Sequence, residues 1–324
     1  MRILTFDGGG IRGVLSARLM ERLEKERPGF IASVDFFAGT SIGSINAALL
    51  AHGVDPATIT KFFKERATKA FGPRDFVDRI THLDELMRAN YGVEEIASAL
   101  TELLGDATLG DLDKFIMIPA FDLDNQDQES KKSATRVYKQ RFWKPKYMHN
   151  FGGPENQDRD LLAKDACLRS SAAPTYFPSY QGYIDGGMMD NNPSMSALAK
   201  AAKMSGQIRE HTLLSVGTGF NPHYIPGTEN DWGYKQWLLG TEVEGKEIGT
   251  GSLLTVMFDG MLGVPDYQCS QLLNGNYRRL DCVLPDPIDL ADVDRLDDLI
   301  AIADAIDISP TLAWIDSKWG EADS

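Results

Sequence analysis

The chain has 324 residues, 43% hydrophobic and 25% charged, enough for one large α/β domain or two modest ones. Its formal net charge of −14 argues against nucleic acid as the main partner. No run approaches the roughly 18 apolar residues of a spanning helix, no basic-then-apolar leader precedes the first strand, and Cys167, Cys269 and Cys282 lack CxxC spacing, so a reduced, cytoplasmic protein is expected.

In chain order, RILTF (2–6) reads as a buried strand, followed by Gly8, Gly9 and Gly10 and a helical pattern over 14–26. Three glycines together answer a geometric demand, either a very tight turn or bare N–H groups that approach something closely. VDFFAG (34–39) is the next strand, with helical patterns at 42–52, 56–70 and 93–104 before the strand KFIMIPAF (114–121). Helices are expected at 160–169 and at 194–205, where Asn192-Pro193 supplies a start, and TLLSVG (212–217) is a further strand. Stretches 72–92, 122–134 and 220–232, rich in Gly, Pro, Asp and Asn, read as loops. The alternation implies an α/β fold, a mostly parallel central sheet with helices on both faces. One catalytic core over 1–220 is expected, with an α-rich acidic C-terminal extension over 221–324 packed on it. Residues 281–324 hold 12 acidic and 2 basic residues, a net of −10.

In VDFFAGTSIGSINAALLAHG (34–53) a strand runs into Gly39-Thr40-Ser41-Ile42-Gly43 and then an Ala-rich helix. A nucleophilic serine is best exposed on such a sharp strand-to-helix turn, with glycines keeping side chains out of the crowded corner. The helix N-terminus behind it favours developing negative charge. Acyl transfer also needs N–H donors about 3 Å from an oxyanion, which Gly8, Gly9 and Gly10 would supply from the same carboxyl edge of a parallel sheet. Gly8 to Gly13 also fits the dinucleotide pattern GxGxxG. That reading wants an acid at the carboxyl end of the second strand, and the candidate, Asp35, starts that strand instead. In GYIDGGMMDNNPSMSALAKAA (182–202), Asp185 lies between a short strand and Gly186-Gly187, which leave its carboxylate room to approach another turn.

DGGGIRG, GTSIG and DGG, in that order, resemble the three blocks of the patatin-like phospholipases, and CLRSSAAPTYFPSY (167–180) and LLSVGTG (213–219) resemble further segments of that family. The similarity covers about residues 1–220. It implies a fold related to cytosolic phospholipase A2 and a Ser–Asp dyad, with Ser41 as nucleophile and Asp185 as base. It makes Gly8, Gly9, Gly10 and Arg12 the oxyanion region, with Gly13, Gly39, Gly43, Gly186 and Gly187 supporting. Ser44 stands where plant members often carry a third elbow glycine. Some bacterial members are nucleotide-activated defence effectors, although no residue here shows this.

Among the histidines, His52, His82, His149 and His211 are poorly placed for a triad, and only His223 follows a strand at the right edge in the order Ser, Asp, His. The cysteines read as core residues. Asp124, Asp127 and Glu129 lack EF-hand spacing, so neither a metal nor another cofactor is expected. The expected function is hydrolysis of acyl esters of phospholipids or lysophospholipids through an acyl-enzyme. Small-ester or thioester hydrolysis with the same dyad, a nucleotide-binding module and a non-catalytic interaction protein are the alternatives. Transient membrane contact is assigned to KKSATRVYKQRFWKPK (131–146), seven cations without an anion, against an ordinary strand over 135–142 whose cations pair with the acidic C-terminal segment. SLLTVMFDGMLGV (252–264) reads as a buried helix or as a contact for acyl chains.

Overall fold

Strand β1 (Arg2–Phe6) leads through the glycine-rich turn into helix α1 (Gly13–Glu26). β2 (Phe36–Gly39) runs through Thr40 and Ser41 into α2 (Ile42–Ala51), and α3 (Pro56–Phe71) and α4 (Glu85–Leu104) precede β3 (Phe115–Asp122). Next come β4 (Lys144–His149), α5 (Ala163–Ser170), β5 (Tyr183–Asp185), α6 (Ser194–Ser205) and β6 (Thr212–Val216). The remainder holds α7 (Tyr234–Leu239), the hairpin β7 (Thr241–Val243) and β8 (Lys246–Ile248), α8 (Ser252–Leu273), β9 (Tyr277–Leu280), α9 (Leu296–Ala305) and α10 (Ser309–Trp314). This computed structural model describes residues 1–71, 85–125, 141–153, 155–174, 176–226, 232–249 and 252–320.

The main sheet has the order β4-β3-β2-β1-β6-β9, with β5 also on β3. Every pairing from β3 across to β9 is parallel, and β4 and β5 run antiparallel to β3. The fold is therefore the expected α/β sheet, mostly parallel and flanked by helices. Strand side chains alternate between two cores, as a period of two requires. Leu4, Phe6 and Phe37 join Val14, Leu15 and Ile45 on one face. Ile3, Phe36 and Ala38 join Ala197 and Leu198 of α6 and Cys269 of α8 on the other. Each fully buried Phe or Leu contributes about 1.5–3 kcal/mol, and burial on both faces explains why these strands read as continuous apolar runs.

Four expectations are refined. Residues 85–92 belong to α4 rather than to a loop, and 72–84 lie outside the described residues. Within 131–146, residues 131–140 also lie outside them, and 144–146 begin β4, an edge strand in which Pro145 is tolerated because one side needs no ladder bond. In the same stretch, Arg141 pairs with Asp124, and Lys146 with Asp158 at 2.6 Å. The C-terminal region supplies a strand, β9, to the central sheet as well as helices. Finally, 252–264 is helical as expected but only one side is buried: Leu262 is covered, while Leu253, Val256, Met257 and Val264 are exposed.

Candidate active site

The elbow is built by crowding. A Cβ on Gly39 would collide with the carbonyl oxygen of Gly43, and one on Gly43 would stand 2.5 Å from the carbonyl oxygens of Phe6 and Asp7. Only glycine lets β2 turn into α2 this close to the end of β1. Ser41, at the apex, takes φ 54° and ψ −128°, a left-handed backbone that a side chain disfavours and that the surroundings must hold. They do so with hydrogen bonds. Ser41 N donates to Ser170 Oγ at 2.9 Å, and that hydroxyl donates to Pro119 O at 2.5 Å. Thr40 Oγ1 donates to Asp190 O at 2.6 Å.

β2 and β5 share one edge of β3. Ala38 pairs with Met117, and Asp185 pairs with Ala120, three residues further along. Because β5 runs antiparallel, the carboxyl ends of the two strands meet head to head. Ser41 Oγ donates to Asp185 Oδ2 at 2.6 Å, and Asp185 Oδ1 accepts from Gly187 N at 2.6 Å. Both side chains are buried. Burial pushes the Asp185 carboxyl up to about 6, against the two hydrogen bonds that favour its anion. At neutral pH it is ionised yet more basic than a surface aspartate, which suits a proton acceptor.

The glycine loop passes beside Ser41: a Cβ on Gly8 would lie 3.3 Å from Ser41 Cβ. Here the expected roles divide. Gly8 N donates to Asn191 O at 3.0 Å, so Gly8 is a spacer rather than a free donor, which corrects the expectation that all three glycines offer their amides. The N–H groups of Gly9 and Gly10 meet no acceptor among the described residues. Gly10, at φ 57°, lies against Leu290 O, which also accepts from Ile11 N at 2.8 Å. Arg12 is a fastener, donating Nε to Gly9 O at 3.3 Å and Nη1 to Gly219 O at 3.0 Å. Burial lowers its guanidinium from the ordinary arginine value. Gly13 gives Ile42 room, Gly186 lies against Pro119 O, and a Cβ on Gly187 would stand 3.0 Å from Asp185 Oδ1.

Three contributors escaped the sequence reading. Ser170, which bridges the elbow to β3, lies in the CLRSSAAP segment that carries the family resemblance, but nothing local marks its role. Asn191 receives Gly8 N on its carbonyl, and its side chain lies against Gly8. Arg279, on β9, pairs with the buried Asp7 at the foot of the glycine loop and with Asp281 at 2.6 Å, and donates to Ser215 Oγ at 2.7 Å. Burial alone would lower its guanidinium, but Asp7 and Asp281 hold it well above the ordinary value. Asp281 Oδ1 in turn accepts Gly219 N at 3.0 Å, so the chain of contacts runs from β9 through Gly219 and Arg12 to Gly9.

The rival constellations are engaged elsewhere. His223 pairs with Asp259 at 3.4 Å and His211 with Ser205 and the N-terminal amine; His149 meets Asn156 and Lys200, and His82 lies outside the described residues. Asp35 accepts the backbone and guanidinium of Arg2 at the opposite end of β2 from Ser41. Cys167 is buried, its thiol pushed up to about 12 by desolvation. Asp124 pairs with Arg141, while Asp127 and Glu129 lie outside the described residues.

Comparison with known proteins agrees with this reading of the fold. The family model described as Patatin-like phospholipase matches residues 4–198. Protein teg of Priestia megaterium is 30% identical, with 98% of each chain covered. The putative sporulation hydrolase CotR of Bacillus subtilis is 32% identical over 72% of this chain and 67% of its own. The cGAMP-activated phospholipase of Pseudomonas aeruginosa is 25% identical over 86% of this chain and 77% of its own.

Proposed function

We propose that this chain, which belongs to the patatin-like phospholipase family, hydrolyses acyl esters of glycerophospholipids or lysophospholipids with Ser41 as nucleophile and Asp185 as its base. The observation that carries the assignment is the 2.6 Å hydrogen bond from Ser41 Oγ to the buried carboxylate of Asp185. Asp185 Oδ2 takes the hydroxyl proton as Oγ attacks the ester carbonyl. The N–H groups of Gly9 and Gly10 receive the oxyanion, a contribution worth roughly 3–4 kcal/mol per donor in such sites. Collapse breaks the C–O bond, and the proton on Asp185 goes to the departing alkoxide. The same carboxylate then takes a proton from water, whose oxygen attacks the acyl-enzyme carbonyl; the bond from the acyl carbon to Ser41 Oγ breaks, Asp185 returns the proton to Oγ, and the fatty acid leaves. Similarity to a phospholipase supports the lipid substrate.

The test compares wild type, Ser41→Ala, Asp185→Asn and the double variant on phosphatidylcholine and on a soluble short-chain ester. Each single change should cost at least about 10²–10⁴-fold, and the double no more, because the two act as one unit. Losses that multiply in the double variant would remove the dyad. Activity on the soluble ester alone would favour a small-ester hydrolase. His223→Ala should keep most of the activity.

A further inference from the structure

Over 253–264 helix α8 carries a single charged residue, Asp259, yet one of its faces is bare, ending in the uncharged Gln271. At about 100° per residue, Leu253, Val256, Met257, Val264 and Tyr267 fall within an arc of about 100°, and their exposures are 38%, 48%, 48%, 55% and 67%. Gly260 lies on the same arc, with open space where its Cβ would be. Leu262, Pro265, Cys269 and Leu273, on the other side, are buried. The exposure is concentrated: among the described residues, nine of the fourteen exposed large hydrophobics lie between 224 and 267. An apolar patch of this kind marks an interaction surface.

We infer that this face of α8 seats the enzyme on the hydrocarbon edge of a lipid bilayer, an inference that rests on the lipid-hydrolase reading above. Three observations choose the occupant. The first is position: the inner side of the same helix forms the wall of the site. Phe258 lies 3.2 Å from where a Gly187 Cβ would be, and Asn192 Nδ2 donates to Leu262 O at 3.0 Å. A lipid drawn from a bilayer against the outer face therefore has one helix to pass. The second is the placement of charge. The two acidic residues of α8 point away from the face, Asp259 to His223 and Asp266 to the hydroxyl of Tyr277 at 2.8 Å. The third is the rim. α7 is tied alongside by Ser252 Oγ donating to Trp237 O at 3.2 Å, and it exposes Tyr234 and Leu239. Tyrosine beside aliphatic residues is the composition of a membrane–water boundary.

An uncharged face on a chain of net charge −14 must bind through apolar insertion and not through anionic headgroups. Binding should thus persist on pure phosphatidylcholine vesicles and survive 0.5 M NaCl, which separates this surface from the basic stretch 131–146. The experiment is vesicle flotation of the full chain and of Met257→Glu/Val264→Glu, alongside hydrolysis of vesicle lipid and of a soluble short-chain ester. The double variant should lose at least about tenfold in vesicle binding and in vesicle hydrolysis, with soluble-ester turnover and melting temperature kept. A second variant, Met257→Cys carrying an environment-sensitive dye, should shift to the blue on the same vesicles. Unchanged flotation of the double variant, binding that requires anionic lipid and vanishes in salt, or sedimentation showing a dimer that the double variant splits would each overturn the surface. Vesicle binding that the double variant loses, with no lipid hydrolysis by wild type, would keep the surface and remove the hydrolase reading.

Discussion

A Cβ at Gly39 would collide with backbone, whereas at Gly260 and Gly263 of α8 it would meet nothing within 4 Å. The same residue type thus serves opposite ends in two regions. Around the dyad, glycine lets β1, β2, β5 and α2 approach closer than any side chain allows. In α8, glycine flattens a face turned to solvent. Crowding is the mark of the region around Ser41 and Asp185, and bare apolar surface that of the outer face of α8. The C-terminal region nevertheless reaches into the crowded part: β9 places Arg279 beside Asp7, and Leu290 O accepts from Ile11 N next to Gly10.

The sharpest way to break this contrast is Gly39→Ala. With a carbonyl in the way and no soft side chain to yield, it should abolish folded yield, measured as soluble protein with a cooperative melt. A well-folded variant would show that the elbow has slack. Arg279→Met comes next. It strands Asp7 and Asp281 without their cation, and breaking such a buried pair costs about 3–5 kcal/mol. The melting temperature should fall by about 4–7 °C, and adding Asp7→Asn should recover part of it. A shift under a degree would mean that the C-terminal strand is dispensable to the loop.

Asp185 should show the cost of a buried base. Its folded-state value of about 6 lies above the ordinary 3.8, so the folded chain holds its proton more tightly than the unfolded chain. Stability therefore falls as pH rises from about 4 to about 6, and the deficit, on the order of 2–3 kcal/mol, persists at pH 7. Asp185→Asn should melt several degrees higher than wild type at pH 7 while losing activity, and the advantage should vanish near pH 4. Wild-type kcat/KM should fall about tenfold per pH unit below about 6. A profile flat to pH 4 would contradict this assignment of the base. The smallest expected effect is Gly263→Ala, a gain of about 1 kcal/mol in an open helix position. A loss there would mean that the outer face of α8 is already covered.

How much could be read in advance follows from the same physics. Gly8, Gly39, Gly43 and Gly187 answer local close approaches, so the constraint is written within a few residues of Ser41 and Asp185. Ser170 and Arg279 act through partners far along the chain: Ser170 spans from Ser41 to Pro119, and Arg279 reaches back to Asp7. Nothing in YRRL marks a sheet strand, since two arginines in four residues read as surface. For the basic stretch a strand over 135–142 is the alternative expectation, whereas β4 starts at Lys144. For 252–264 the apolar pattern gave the helix but misplaced it in the interior, because periodicity cannot report which side lacks a neighbour.

The head-to-head meeting of β2 and β5 has a consequence for how this chain can vary. Ser41 and Asp185 stand 144 residues apart, but each is indexed to β3, at Met117 through Ala38 and at Ala120 directly. Their spacing is thus set by the rungs of one ladder, not by the length of what connects them. Doubling a connecting loop costs only about 0.6 kcal/mol in closure entropy, so insertions in the connections between β3 and β5 should leave the pair aligned. One residue added inside Tyr183–Asp185 is different in kind, because a slip of one rung turns the carboxylate to the opposite face of the sheet. Tolerance to length change should accordingly be wide between the strands and absent within them, and a library of insertions scored for esterase activity would trace the rungs directly.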